Sequence, residues 1–297
     1  MERLTHAALA KFTNADASRV SEFRSVLDRL SAPERRRAIH ALKDMGEEDV
    51  ELNFADILIS VLEDSDPVVR ATAVDGLWED DRPATLDRLI ALSERDREVT
   101  VRAAAVTGIG RFAYRLALGD LSPRLGHRVR ATLIAAAGPN SPSAIRRRAV
   151  EHLGYVNDEQ SIDLILLAYR SREASLRAGA IRAMGRTCDR RWVETVLVEC
   201  ANADPEIRFE AAQAAGEIED PRAVPLLIRL VRDDDREVCL AAIAALGAIG
   251  GADARDELVR VRNGKESVLA EAADIALQDL DVESDPIGIR LRDVRLN

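Results

Sequence analysis

Residues 204–250 read DPEIRFEAAQAAGEIEDPRAVPLLIRLVRDDDREVCLAAIAALGAIG, and this stretch contains one pattern twice. Arg208 in the first copy and Cys239 in the second each follow an aliphatic residue. Small or aliphatic residues then lie three, four and seven positions after Arg208 and after Cys239. These offsets place side chains on one face of an α-helix. The stretch therefore predicts two copies of one helical unit.

The same pattern recurs along the chain, so the position of Arg208 becomes a column of eight residues. The column consists of Arg35, Arg70, Arg102, Arg146, Arg177, Arg208, Cys239 and Leu269. Its members lie 30 to 35 residues apart, except for a step of 44 residues between Arg102 and Arg146. A nearly constant period of this length indicates a solenoid of stacked helical units.

A polar turn position lies six residues before each member of the column. Seven of its eight members are Asp, Asn or Ser, and the exception is the first. The members are Arg29, Asp64, Asp96, Asn140, Ser171, Asn202, Asp233 and Asn263. Such side chains favour turns and helix starts, because they accept hydrogen bonds from nearby backbone N–H groups. An apolar helix precedes each turn, so each unit is helix, turn, helix. We expect an all-α fold, an α-α superhelix of about eight hairpins, with strand allowed only in the last dozen residues.

This pattern resembles the HEAT-like repeat family, in the short, Ala-rich form found in bilin-lyase-related proteins. The resemblance covers roughly residues 16–280. It implies one solenoid over residues 1–280, followed by a tail or cap at 281–297. The implied repeats lie near 16–46, 50–79, 82–110, 127–155, 159–187, 190–218, 221–250 and 252–280.

In that family, each column Arg reaches the turn residue of the following repeat and so forms one rung of a structural ladder. Carried over to this chain, the rungs are Arg70 with Asp96, Arg102 with Asn140, Arg146 with Ser171, Arg177 with Asn202, and Arg208 with Asp233. Cys239 departs from the pattern, so the rung to Asn263 is not expected.

The resemblance also implies that the second helices line the concave surface of the solenoid. Positions one and five after the column then face outward, and they give the candidate binding residues Arg147, Glu151, Arg182, Phe209, Gln213 and Leu240. Ala occupies four of the other six positions that directly follow the column, so Phe209 and Leu240 form an apolar patch. The alternative is that both side chains pack against each other or against neighbouring helices.

The step of 44 residues contains an additional segment, RFAYRLALGDLSPRLG at 111–126. An insertion of this kind often lies on the binding face of a solenoid. The simpler interpretation is a longer helix pair with Tyr114 in the core. The tail at 281–297 interleaves aliphatic residues with Arg290, Arg292 and Arg295. It is expected to cover the last repeat or to form a linear motif for another protein.

Composition argues against several classes of function. The net charge of −10 disfavours binding to nucleic acid or to anionic membranes. The Arg triplets at 35–37 and 146–148 leave phosphate binding as a minor alternative. Apolar runs such as 164–168 are far too short to span a bilayer, and the first residues lack a signal-peptide pattern. We therefore expect a cytoplasmic protein with no membrane partner.

The chain offers no pattern for catalysis or for a metal. The three cysteines lack the CxxC spacing of zinc sites. The four histidines are scattered, and the sequence contains no His-Glu pair, on which HEAT-repeat di-iron hydroxylases depend. We therefore expect no catalytic residue, metal or cofactor. The predicted function is a non-enzymatic scaffold for another protein or peptide, and the alternative is a bilin lyase or isomerase-like chromophore chaperone.

Overall fold

The computed structural model describes residues 5–284, and the side chains of residues 5–280. These residues form seventeen α-helices and two short 3-10 helices, and they contain no strand. The predicted all-α class is therefore confirmed. The last dozen residues, for which strand was allowed, lie outside the described residues, as does most of the tail. The chain divides into two compact units, Met1–His152 and Leu153–Asn297.

The first unit begins with a short helix that precedes the predicted repeats, α1 (His6–Ala10). Four helix pairs follow: α2 (Ala17–Leu27) with α3 (Ala32–Glu48), α4 (Ala55–Ser60) with α5 (Pro67–Asp75), α6 (Pro83–Arg95) with α7 (Val99–Ala117), and α8 (Pro123–Ala137) with α9 (Ser143–Val156). The boundary of the unit falls within α9.

The second unit continues with four more pairs: α10 (Glu159–Tyr169) with α11 (Ala174–Arg186), α12 (Val193–Glu199) with α13 (Pro205–Ile218), α14 (Val224–Leu230) with α15 (Arg236–Ile249), and α16 (Ala252–Arg262) with α17 (Ser267–Ser284). Short 3-10 helices, Arg190–Trp192 and Pro221–Ala223, lead into α12 and α14. The second helices α11, α13, α15 and α17 pack against one another in this order.

Polar side chains build the turns before α13 and α15. Asn202 Oδ1 accepts the backbone N–H two residues further on at 2.9 Å, and Asp204 does the same at 3.0 Å at the start of α13. Asp233 and Asp235 repeat this arrangement at 3.0 and 2.9 Å before α15. Pro205 suits the first position of α13, where no backbone N–H is needed. These residues therefore fix where α13 and α15 begin.

The second helices of the second unit approach closely at glycines that lie eight residues after the column. The contacts join Gly185 with Ala214, Gly216 with Ala245 and Gly247 with Ala276, where an added Cβ would lie 2.6, 3.0 and 2.9 Å from the alanine Cα or Cβ. Real Cβ atoms would push the helices apart. The glycines thus hold α11, α13, α15 and α17 side by side.

The additional segment at 111–126 consists of the end of α7, a short connection and the beginning of α8. Tyr114 is 49% exposed, so its expected place in the core is wrong. Phe112 is the buried aromatic residue of this segment instead. Phe112 follows the buried Ile109 by three residues and shares its helix face, whereas Tyr114 follows Ile109 by five residues and lies away from that face.

Candidate functional site

Two rungs of the ladder bring together the residues named from the sequence. Arg70 donates from Nε and Nη2 to the two carboxylate oxygens of Asp96, at 2.8 Å each. Arg208 makes the same two-bond contact with Asp233, at 2.7 Å each. In both arginines Nη1 also donates to the backbone carbonyl six residues earlier, at 2.7 and 2.9 Å. The hydrogen bonds from Arg208 hold the pKa of Asp233 below its usual value.

The structure shows one rung that was not predicted, and it shows what Cys239 does in place of a column arginine. Arg35 Nη2 donates to Asp64 Oδ1 at 3.1 Å. Arg35 is the first member of the column, and Asp64 is the turn residue of the following repeat. The sequence pattern therefore already contained this rung. At Cys239 the thiol replaces the guanidinium, and its Sγ donates to the backbone carbonyl of Asp233 at 3.2 Å. Cys239 thus preserves the contact to the turn without a charge.

The predicted rung between Arg177 and Asn202 does not form. Arg177 Nη2 lies 3.5 Å from Oε1 of the buried Glu199 instead. Glu199 also accepts the Tyr169 hydroxyl at 2.6 Å and the Asn202 side-chain amide at 2.6 Å. A carboxylate is a stronger acceptor for a guanidinium than an amide oxygen, so Glu199 takes the place of Asn202.

The predicted rung between Arg102 and Asn140 does not form either, and the rung between Arg146 and Ser171 stays a prediction. Arg102 does not bond to Asn140, and its Nη1 lies 3.3 Å from the backbone carbonyl of Asp96. The additional segment changes the connection to the next repeat, and Asn140 is exposed there. Arg146 and Ser171 belong to different units. The Nε atoms of Arg102 and Arg146 are buried and have no hydrogen-bond partner among the described residues.

Glu151, expected on the outward face, is buried. Arg147 Nε donates to it at 2.9 Å and Arg148 Nη1 at 3.0 Å. Burial alone would raise the pKa of Glu151, but the two arginines outweigh burial and lower that pKa below its usual value. The outward assignment of Glu151 is therefore wrong, because the arginines beside it cover its carboxylate.

Arg182 of α11 is partly exposed and lies near two carboxylates of α13. Its Nε is 4.0 Å from Glu210 and its Nη2 is 3.9 Å from Glu217. Burial raises the pKa of Glu217, and the neighbouring arginines oppose this shift only in part. Phe209 and Gln213 are partly exposed on the same helix α13. This part of the surface is polar, with one aromatic side chain.

The helices α15 and α17 form an open apolar groove with a volume of ≈ 600 Å³. Leu240, Ala244 and Ala248 of α15 line it, together with Ile275 and Asp279 of α17. Leu240 is partly exposed, and Ile275 is 55% exposed. Ile275 was not picked out from the sequence, although it follows directly after an outward position of the repeat. The groove places two aliphatic side chains next to one carboxylate.

Among the described residues, no group of His, Cys, Asp and Glu side chains is arranged to hold a metal ion. Within the same part of the chain, no helix is long and apolar enough to cross a bilayer. The three cysteines are free thiols, and burial raises the pKa of Cys200 to about 12. Such a thiol is poorly reactive, because the thiolate is the reactive species.

Similarity to known proteins shows to which family this chain belongs. A model of HEAT repeats matches residues 55–138 and 193–278, which together make up more than half of the chain. The structure of YibA from Escherichia coli aligns with a TM-score of 0.51 at 16% identity, over 95% of this chain and 98% of YibA. The CpcE–CpcF complex of phycocyanin lyase from Nostoc sp. PCC7120 gives a TM-score of 0.52 at 16% identity, over 76% and 93% of the respective chains. At this identity the two structures show a shared fold. A comparison with curated protein sequences gives no significant match.

Proposed function

The chain belongs to the HEAT repeat family, and we propose that it is a non-enzymatic scaffold that binds another protein through the second helices of its second unit. The observation that carries this proposal is the open apolar groove between α15 and α17. The binding face comprises this groove and the outward residues of α11 and α13: Arg182, Phe209, Gln213, Leu240, Ala244 and Ile275.

The groove exposes aliphatic side chains that the packing of the repeats does not require. Leu240 is partly exposed and Ile275 is 55% exposed, whereas four of the other seven repeats carry Ala at the position of Leu240. Fully burying a Leu or Ile side chain contributes about 1.5–3 kcal/mol. Covering the partly exposed Leu240 and the half-exposed Ile275 therefore contributes about 1–2 kcal/mol to association. Protein interfaces concentrate their binding energy in a few such anchors.

The polar groups near the groove suit orientation of a partner. Arg182 and Glu217 lie on the neighbouring helices, and Asp279 lies on the edge of the groove. Charged groups at the rim of an interface mainly determine specificity and association rate. We place this activity in the cytoplasm, where free thiols such as those of this chain stay reduced.

The experiment compares capture of partners by two double variants with capture by the unchanged chain. Phe209→Ser with Leu240→Ser replaces two apolar side chains of the binding face by polar ones. Leu167→Ser with Val198→Ser is the matched control, since these side chains are 51% and 69% exposed on the first helices α10 and α12. Circular dichroism checks that both variants fold.

We expect the first variant to lose specifically captured proteins and the control to retain them. Equal capture by all three chains would contradict the proposal. Loss of stability in the first variant would show that Phe209 and Leu240 belong to the core. A spectral change on mixing the unchanged chain with a free bilin would favour the chromophore-chaperone alternative.

A further inference from the structure

An open pocket with a volume of ≈ 510 Å³ lies beside Arg102 in the first unit. Helices α6, α7 and α8 and the residues that lead into α9 surround it. Arg102, Thr132 and Asn140 supply polar groups to its wall, while Ala135 and Ile145 supply apolar surface. The pocket lies where the additional segment lengthens the repeat, far along the chain from the groove between α15 and α17.

The other rungs show what a column arginine binds in this fold. In Arg70 and Arg208, Nε and Nη2 each donate to one oxygen of an Asp carboxylate at 2.7 or 2.8 Å. In both residues Nη1 donates to the backbone carbonyl six residues earlier. These two contacts together fix the plane of the guanidinium.

Arg102 makes the second of these contacts but not the first. Its Nη1 donates to the backbone carbonyl of Asp96, six residues earlier, at 3.3 Å. Its Nε is buried and has no hydrogen-bond partner among the described residues. The turn residue of the following repeat is Asn140, which carries no charge. Arg102 is therefore oriented like the rung arginines, and the chain supplies no carboxylate for it.

We infer that this pocket is a binding site for a monocarboxylate, whose two oxygens accept hydrogen bonds from Nε and Nη2 of Arg102. A buried N–H group without a partner is unfavourable, and a carboxylate matches the donor geometry of a guanidinium. The Thr132 hydroxyl and the Asn140 amide can donate to the same ligand. Ala135 and Ile145 can contact a short aliphatic chain attached to the carboxyl group.

The charges near the pocket favour one negative charge over two. Glu94 also lines the pocket, and the Asp96 carboxylate, bound to Arg70, lies close to Arg102. A phosphate dianion would be repelled by these groups more strongly than a monocarboxylate. The carboxylate can come from a free short-chain acid or from a Glu or Asp side chain of another protein.

The test follows the Arg102 Nε–H resonance in ¹H–¹⁵N spectra, assigned by its absence from Arg102→Gln. The probes are sodium butyrate, inorganic phosphate and a blocked tripeptide with a central Glu, all at matched ionic strength. We expect a saturable shift with butyrate or with the tripeptide, and binding at least about tenfold weaker with phosphate. If butyrate binds more tightly, the ligand is a free short-chain acid. If the tripeptide binds more tightly, the ligand is a carboxylate side chain of another protein.

Two variants make the result specific. The variants are tested with the carboxylate that binds the unchanged chain more tightly, butyrate or the tripeptide. Arg102→Gln removes both donors and should abolish that binding measured by calorimetry, with helix content checked by circular dichroism. Asn140→Asp adds a carboxylate to the wall of the pocket and should weaken the same binding, even if Arg102→Gln does not fold. The inference is overturned if neither carboxylate gives a saturable shift, if phosphate binds equally well, or if binding of the tighter carboxylate survives both substitutions.

Discussion

Replacement of Arg208 by alanine removes the rung between α13 and the turn before α15. The guanidinium makes two hydrogen bonds to Asp233 at 2.7 Å and two more to backbone carbonyls at 2.9 and 3.0 Å. The side chains of Arg208 and Asp233 are 17% and 9% exposed. The substitution therefore leaves a mostly buried carboxylate and two carbonyls without their donor.

Each hydrogen bond to a charged group contributes about 1.5–3 kcal/mol to stability. Water can replace part of the lost hydrogen bonds, so the expected loss of unfolding free energy is about 2–3 kcal/mol. Asp233 keeps the hydrogen bond from the Asp235 N–H, which limits the loss. Arg177→Ala serves as the comparison, because it removes a weaker and more exposed contact. Arg177 is 33% exposed and only 3.5 Å from Glu199, so this substitution should cost about 1 kcal/mol.

Urea unfolding followed by circular dichroism measures both losses. Arg208 lowers the pKa of Asp233 in the folded protein, so the rung contributes fully above the usual Asp pKa, about 3.9. That contribution disappears as pH falls through the lowered pKa, so the difference between Arg208→Ala and the unchanged chain should shrink in acid. Equal losses for Arg208→Ala and Arg177→Ala at neutral pH would refute this account of the ladder.

Three further predictions concern packing and thiol chemistry. Gly185→Ala should lower the melting temperature, because its Cβ would lie 2.6 Å from a Cα of α13; an unchanged melting curve would contradict this close approach. Phe112→Ala should cost about 3–5 kcal/mol in urea unfolding, since Phe112 is fully buried, whereas Tyr114→Ala should cost far less. At pH 8 a thiol reagent should modify the exposed Cys188 well before Cys200, whose thiol has a pKa raised to about 12; equal rates would contradict the burial of Cys200.

The helix pairs could be read from the sequence because each depends on local chemistry. The polar turn residues bond to backbone N–H groups two residues away, so their effect is contained in the sequence pattern. The additional segment also follows from local patterning once the buried face is traced through Ile109 to Phe112. Tyr114 was misplaced because its aromatic character was given more weight than its position on the helix.

The rungs were harder to predict because they depend on competition in space. Arg177 binds Glu199, which lies only three residues before the expected partner Asn202. Periodic spacing identifies equivalent positions, but it does not show which nearby carboxylate a long guanidinium side chain will reach. Arg102 does not bond to Asn140, because the additional segment changes the connection between the two repeats. Spacing along the sequence does not show this change either.

The groove was partly accessible from the sequence. Leu240 stood out as a large residue at an outward position where most repeats have small ones. Ile275 did not, because an aliphatic residue next to buried neighbours is usually read as part of the core. Only the packing of α15 against α17 shows that its side chain stays 55% exposed.

Photo-crosslinking from the groove tests the proposed function most directly. A photoactivatable amino acid replaces Ala244, which lines the groove, or Val198, which is 69% exposed on α12. In cells of the native host, the account predicts crosslinks from position 244 to one or a few discrete proteins, and none of these from position 198. The same products from both positions, or no product from position 244, would contradict a protein-binding role for this face.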